Sequence, residues 1–313
     1  MLSLLIKRLL QTIPILIGVS LLIFGLVRFV PGNPIDYLVP VEATPDLVAR
    51  LKATYGLDRP LYVQYALWLG NALSGDFGVS IVSGEPVLPE LLDALGNTAL
   101  IALPAALIAF VVGTVLGTIG AFRQGRAADR VGSMVAISGV SLPNYWVAVV
   151  LVMIFSVILR WLPAQGKSFD GWPATTQDLA CLMMPIAALA LIPLGVVARV
   201  VRTTLLEVLA QDFIDALRAK GLTQRQVIFH ALKNAAPGVL SVMGLQLGYL
   251  LSGSILIETI FNWPGAGGLL NLAVFRRDIP VLQATVLVLA AAFVMLNMLV
   301  DVARSLIDVR LRS

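Results

Sequence analysis

The stretch "FIDALRAKGLTQRQVIFHALKN", residues 213–234, is polar and helix-forming, yet the chain on either side of it is mostly apolar. Asp215 through Lys220 predicts a helix, and Gly221 stands just past its cap, where a left-handed backbone is needed and glycine adopts it cheaply. Leu217 before the cap and Leu222 after it form the hydrophobic pair that accompanies a Schellman closure. Thr223 and Gln226 have capping-box spacing for a second helix. In that helix Val227, Ile228, Ala231 and Leu232 recur at helical spacing, while Arg225, Gln226, Lys233 and Asn234 fall largely elsewhere. The stretch specifies helix, sharp bend, helix, with an apolar face in need of cover.

Working outward, the chain is an integral membrane protein. Of its 313 residues 58% are hydrophobic and 13% charged, against roughly a quarter charged in an average soluble domain, and the mean hydropathy is +0.92. Each helical crossing needs about 20 apolar residues, and six segments qualify: roughly 9–30, 98–120, 131–159, 181–201, 237–259 and 281–303. The first follows Lys7 and Arg8, as a signal peptide would, but its apolar run extends to Val27 and no small-x-small cleavage site follows, so an uncleaved helix is expected. With the N-terminus inside, the inner stretches hold 14 of the 22 basic residues and six of the 18 acidic ones. Inner loops favour Lys and Arg, so both termini are expected to be cytoplasmic.

The first outer connection, about 31–95, is too long for a turn and predicts a small periplasmic element with short helices. Pro60 suits a first helical turn behind Asp58 as cap, and Tyr62, Tyr65, Trp68, Leu69 and Ala72 share one helical face. Such an aromatic stripe either lies on the bilayer surface or packs on neighbouring helices and loops, and periodicity leaves both readings open. The inner connection of about 203–236 is the other long one. A loop that merely joins two crossings needs only a few residues, so this one is expected to dock something.

That inner connection resembles the cytoplasmic "EAA" loop of bacterial ABC importer permeases, in particular the peptide and nickel permease family. Asp215, Ala216 and Leu217 stand where the family has Glu-Ala-Ala, with Gly221 at the following glycine; Leu for the second Ala is a departure. The resemblance covers nearly the whole chain. "KRLLQTIPILIGVSLLIFGLVRFVPGNP" is similar to the family's first helix and its exit, with Asn33 for the usual aspartate. "GLDRPLYVQYALWL" and "GDFGVS" resemble its first outer loop, "GVSLPNYWVAVVLV" its third helix, and "ETIFNWPGAGGLL" with "RRDIPVLQA" the segment before its sixth, although Ala266 and Gly268 stand where larger residues are common.

The resemblance implies an all-α, type I ABC importer permease fold with six transmembrane helices. Its parts would be residues 1–30 for the inner end and first helix, 31–95 for the periplasmic loop, and 96–308 for the permease core. It implies an ATPase-coupling role for Asp215, Ala216, Leu217, Gly221, Leu222, Arg225, Ile228 and His230. Implied partners are a second homologous permease subunit, two ABC ATPase subunits carrying ATP and Mg, and a periplasmic substrate-binding protein, in the cytoplasmic membrane. Short peptides are the first substrate expectation, with nickel or glutathione as alternatives.

Other function classes find little material. "GAFRQGRA", residues 120–127, has two glycines at phosphate-loop spacing, but Arg126 and Ala127 replace the required Lys and Ser or Thr, so no nucleotide site of that kind is expected. One cysteine, Cys181, and one histidine, His230, exclude an intrachain disulfide and leave nothing for a Cys/His metal cluster or His-based catalysis. The paired-carboxylate candidates Glu258 and Asp301 lie near helix ends on opposite sides. The net charge of +4 is a matter of topology, not of nucleic-acid binding. A gradient-driven carrier would use polar groups inside helices, and Gln246, Tyr249, Ser252 and Asn297 are the candidates to line a path, the alternative being hydrogen bonds between helices. Gly113 with Gly117, and Gly244 with Gly248, have small-xxx-small spacing and predict close helix packing.

Overall fold

The computed structural model describes residues 2–29, 59–167, 169 and 171–307. Asp58, expected as a cap, and residues 31–58 of the expected outer element lie outside the described residues. Ten helices account for the described chain: α1 (Leu2–Phe29), α2 (Leu61–Leu73), α3 (Val87–Phe122), α4 (Ala127–Ser141), α5 (Asn144–Leu151) continued by a π-helical stretch (Val152–Ile158), α6 (Thr176–Leu209), α7 (Asp212–Ala219), α8 (Gln224–Ile260), α9 (Ala266–Arg276) and α10 (Ile279–Ile307). Five of them, α1, α3, α6, α8 and α10, are each long and apolar enough to cross a membrane.

The third expected crossing, 131–159, is not one straight helix. It breaks at Leu142 and Pro143 into α4 and α5, bent by 102°, and counted as one span this pair makes six. Pro143 has no N–H for the helical ladder and stands as the N-cap of α5. Pro237 does the opposite of what its position suggests. The second short helix and the crossing expected from 237 are one continuous helix, α8, with Pro237 inside it. Val227, Ala231, Ala235 and Val239 lie in a single apolar cluster on both sides of the proline, and that packing outweighs the lost hydrogen bond. The inner connection is accordingly shorter than its apolar pattern implies, because α6 runs to Leu209 and α8 starts at Gln224.

The central helix is α6, which packs against α3, α4, α5 and α8. Over the apolar stretch of α6 56% of residues are buried, whereas α10 is buried at Val281, Gln283, Ala284 and Thr285 in its first turns and mostly half-buried beyond them. A capping box opens α6: Asp178 N–H donates to Thr175 Oγ1 at 3.2 Å, and Asp178 Oδ2 accepts from Thr175 N–H at 2.9 Å. The small-xxx-small pairs lie at close backbone contacts. A Cβ on Gly117 would stand 2.5 Å from Ala198 O and one on Gly113 3.0 Å from Leu194 O, so α3 meets α6 through glycine. On the next seam Gly244 faces Val300 and Gly248 faces the Phe293 ring, bringing α8 against α10.

Helix α2 begins at Leu61, with Pro60 itself at the N-cap position and not within the first turn as expected. Of the two readings of its aromatic stripe, packing holds for Tyr65 and Trp68. Tyr65 stacks edge-on against Phe24 at 5.4 Å, Trp68 lies 5.8 Å from the same ring, and the Tyr65 hydroxyl shares a 2.7 Å hydrogen bond with Ser20 of α1. Tyr62 remains exposed.

Candidate functional site

At one end of the bundle α6, α7 and α8 form a helical hairpin. Helix α7 turns Ile214 fully inward and Phe213 and Leu217 partly so, against Val201, Leu205 and Val208 of α6 and Val227 and Ala231 of α8. Ile214 and Val227, buried at 0% and 1% exposure, each contribute up to about 1.5–3 kcal/mol to this docking. The bend closes as a complete Schellman motif: Gly221 N–H donates to Arg218 O at 2.9 Å and Leu222 N–H to Leu217 O at 3.3 Å, with Gly221 at φ +80. Gln226 Oε1 then accepts from the Thr223 backbone N–H at 2.8 Å and from its hydroxyl at 3.0 Å, fixing the start of α8. The hairpin is a rigid extension of α6 and α8.

This mounting sorts the eight residues of the resemblance. Asp215, Ala216, Gly221 and Arg225 face outward, Leu217 and Leu222 face the chain's own cluster, and Ile228 and His230 are half-buried. Leu217, the departure from the family's second alanine, therefore anchors α7 to the apolar cluster that it shares with α6 and α8. Asp215 pairs with Arg218 at 3.2 Å across a turn, with side chains 79% and 50% exposed. The His230 ring lies edge-on to Phe229. Phe229 was not among the expected residues, yet it is 65% exposed on the polar face between Arg225 and Lys233. The signal for it was an aromatic residue at i+4 from Arg225, on the face that carries the charges.

The opposite end of α8 holds a second polar constellation, built around a buried carboxylate. Glu258 Oε1 accepts from Thr98 Oγ1 at 2.7 Å, and Glu258 Oε2 from Gly268 N–H at 2.9 Å, while Thr98 Oγ1 accepts from Ala266 N–H at 2.8 Å. Gly265 and Gly267 press their backbones against this carboxyl, where any side chain would collide with it. Trp263 Nε1 donates to Asn97 O, and Asn97 Nδ2 to Pro264 O, both at 2.8 Å. The segment "ETIFNWPGAGG" is thus wrapped on its own glutamate. Nearby, Asp278 Oδ2 accepts from Ser80 Oγ at 2.5 Å and Asp278 Oδ1 from Ile81 N–H at 3.3 Å, tying "GDFGVS" to "RRDIP". A cavity of about 630 Å³ opens beside Glu258, with Glu90, Asp93, Lys167 and Asn271 on its wall. Glu258 and Asp301 belong to separate clusters, since Asp301 lies 3.8 Å from Arg304 in the last turns of α10.

Between the two ends, Tyr249 and Ser252 line a groove of about 490 Å³ between α8 and α10, with Leu245, Ile255 and Phe293. Gln246 and Asn297 stand outside that lining. Hydrogen bonds between helices, the expected alternative, do not form at two of these residues: Ser252 Oγ donates to Gly248 O and Tyr249 O, and Asn297 Nδ2 to Phe293 O, each on its own helix. A hydroxyl or carboxamide one turn from a free lone pair of its own backbone satisfies itself locally.

An ion pair that the sequence reading did not single out joins α4 to α6. Arg202 Nε donates to Asp129 Oδ1 at 2.6 Å and Nη2 to Oδ2 at 2.9 Å, and Oδ2 also accepts from Gly125 N–H at 2.9 Å. Its members are 73 residues apart, and no local pattern signals such a pairing.

The comparisons with known proteins fit this architecture. Residues 109–313 match the model of the binding-protein-dependent transport system inner membrane component, and residues 1–102 that of the N-terminal part of such a component. The chain is 37% identical to the dipeptide transport system permease protein DppB of Alkalihalophilus pseudofirmus, over 100% of both chains. It is 38% identical to the di/tripeptide transport system permease protein DppB of Pseudomonas aeruginosa and 38% identical to the glutathione transport system permease protein GsiC of Escherichia coli, in each case over 100% of this chain and 99% of the relative. Among solved structures, a chain of the MetNI methionine ABC transporter in an inward-facing crystal form shares the fold, with a TM-score of 0.57 at 18% identity over 70% of this chain and 96% of that one. With family models matching both halves and full-length relatives above a third identical, this multi-pass membrane protein belongs to the family of binding-protein-dependent transport system inner membrane components.

Proposed function

We propose that this chain is the permease subunit of an ATP-driven importer that carries short peptides across the cytoplasmic membrane, with the α7–α8 hairpin as its contact to the ATPase. The hairpin's mounting carries the reading: its apolar face is consumed in the cluster it forms with α6, while Asp215, Ala216, Arg218, Arg225 and Phe229 face outward on a backbone locked by the Gly221 closure. A locked, charged, outward surface with one exposed aromatic is suited to a protein groove. The DppB relatives support di- and tripeptides as cargo, and the GsiC relatives favour glutathione, itself a tripeptide, as the second reading.

In this reading the hairpin end is cytoplasmic, as are both termini, and the Glu258 end faces the substrate-binding protein. A second, homologous permease completes the path, to which the groove at Tyr249 and Ser252 would contribute. ATP and Mg reside on two partner ATPases. Their closure moves the hairpin as one body with the ends of α6 and α8 and switches the side to which the path opens. The chain supplies the moving path and no chemistry of its own.

The test is purification of the tagged chain from its own membrane in mild detergent, with mass spectrometry of what accompanies it and uptake assays in vesicles. A second permease with ATPases, and uptake of labelled di- or tripeptides on addition of ATP and the binding protein, is the expected result. Uptake by the chain alone on an ion gradient would overturn it in favour of a carrier.

A further inference from the structure

We infer that the Asp129–Arg202 pair is the tether through which the hairpin moves the broken span α4–α5, so that these two residues couple ATP-driven motion to the opening of the path. The inference rests on the importer reading above.

The argument starts from what holds α4 in place. Along its length α4 meets α6 backbone to backbone: a Cβ on Gly139 would stand 2.9 Å from Leu191 O, and one on Gly195 2.5 Å from Ala136 O. At these contacts the Leu191 side chain lies over Gly139 and the Val140 side chain over Gly195, so this part of the seam is held by close apolar packing. At the first turn of α4 even that contact opens. A cavity of about 280 Å³ lies between α3, α4 and α6, with Gly120, Gly132 and Ala136 on its wall beside the pair. Across this looser region the two-point grip of Arg202 on Asp129 is the directional link.

The grip is built for the task. Both carboxylate oxygens are engaged by one guanidinium, a fork geometry that fixes orientation as well as distance. The Asp129 side chain is 7% exposed and the Arg202 side chain 28%, so the carboxylate is sheltered while solvent reaches the pair from the arginine. Gly120 makes room for it, since a Cβ there would stand 3.2 Å from both Arg202 Cδ and Asp129 Oδ1. Gly125 N–H, bound to the same carboxylate, holds the turn between α3 and α4 to the same point.

Arg202 sits less than two turns before Leu205 and Val208, which are welded to Ile214 and Val227 of the hairpin. Displacement of the hairpin is therefore displacement of Arg202. Asp129 lies in the first turn of α4, at the end remote from the Leu142–Pro143 break. Over 15 residues α4 is about 22 Å long, a lever pulled at one end and hinged at the other.

The experiment uses the assembled transporter in proteoliposomes, with spin labels on the exposed positions Val131 of α4 and Lys220 of the hairpin. In the parent the label distance stays constant between the nucleotide-free and ATP-trapped states, because α4 follows the hairpin. In Asp129→Asn, which keeps the shape and an acceptor for Gly125, the distance changes between the two states and uptake per ATP hydrolysed falls at least tenfold. The exchanged pair, Asp129→Arg with Arg202→Asp, recovers part of both. An Asp129→Asn transporter with parental uptake per ATP and a constant label distance overturns the tether. If that variant does not assemble, the same readings are taken on Arg202→Lys, which keeps the charge and loses the fork; parental values there overturn it equally. Loss of coupling in Gly221→Pro together with normal coupling in the Asp129 variant removes the tether and leaves the importer reading standing, whereas uptake without ATPases removes both.

Discussion

The bend at Gly221 offers a graded test of whether the hairpin must be rigid. Its backbone stands at φ +80, and a Cβ built there meets nothing within 4 Å, so the cost of a side chain is conformational and not steric. Alanine in the left-handed region costs about 1–2 kcal/mol, and asparagine, which tolerates that region, costs less. Proline cannot reach a positive φ at all. It also deletes the Gly221 N–H bond to Arg218 O, worth about 1 kcal/mol, and disfavours Lys220 at φ −76 and ψ 1. The total for Gly221→Pro is about 3–5 kcal/mol, placed on the end of an eight-residue helix with little stability of its own. At about 1.4 kcal/mol per factor of ten, the ratio of closed to opened bends falls roughly five- to thirtyfold for alanine and more than a hundredfold for proline. The assay is uptake per ATP hydrolysed in vesicles containing the ATPases and the binding protein, with hydrogen exchange over residues 213–223 as the structural readout. Asparagine should stay near the parent, alanine fall partway, and proline hydrolyse ATP with little uptake. Proline behaving as the parent would refute the rigid-hairpin argument. Asparagine or alanine as damaging as proline would also refute it, since the open surface at Gly221 would then itself be the contact.

Three further outcomes follow from the same geometry. Asp215→Arg should leave the complex assembled and weaken coupling only mildly, because its partner Arg218 is half exposed and such surface pairs are worth less than about 1 kcal/mol; complete loss of co-purifying ATPase would count against this. Gly117→Ala places a methyl 2.5 Å from Ala198 O and should destabilise the α3–α6 seam by about 1–3 kcal/mol, while Gly18→Ala, with nothing within 4 Å, serves as the tolerated control in a detergent melting series. Glu258→Ala strands the Thr98 hydroxyl and the Gly268 N–H in a buried loop and should cost about 2–4 kcal/mol, read as a lower melting midpoint and easier proteolysis between Phe261 and Leu272; an unshifted midpoint would show that the carboxylate does not hold that loop.

The hairpin was legible because each of its rules is local. A glycine past a cap, a leucine pair around it and a Thr-x-x-Gln spacing are read within ten residues, and all of them are realised at Gly221, Leu217, Leu222 and Gln226. Where the structure departs from the sequence reading, the deciding force acts over distance. Pro237 marks a boundary by local rule, but the cluster joining Val227 to Val239 carries the helix through it. The break at Leu142 and Pro143 is hidden inside an apolar run, because hydropathy reports burial in lipid and not helix direction. Composition could locate Asp129 and Arg202 only as inner-side charges; their pairing depends on α4 folding back along α6. The bonding partners of two candidate path residues were hidden for a related reason. A polar side chain inside a crossing signals a need for partners, and Ser252 and Asn297 find theirs on their own helix.

Stiffness is distributed so that motion has few places to go. One end is set by the apolar weld of α6, α7 and α8, and the other by carboxylates whose bonds cross between elements, Glu258 to Thr98 and Asp278 to Ser80. Bending the long helices away from their internal prolines, Pro104 in α3, Pro185 and Pro193 in α6 and Pro237 in α8, would break main-chain hydrogen bonds in an environment with no water to replace them. The seams of Gly113 and Gly117 of α3 against α6 and of Gly244 and Gly248 of α8 against α10 seat neighbouring side chains and backbone directly over the glycines, whereas the Gly139–Gly195 seam between α4 and α6 is also bridged by the Asp129–Arg202 pair. In the importer reading, the two unbridged seams are where helices shift against one another. A mutation that fills a seam should slow the alternation even where it leaves both ends intact.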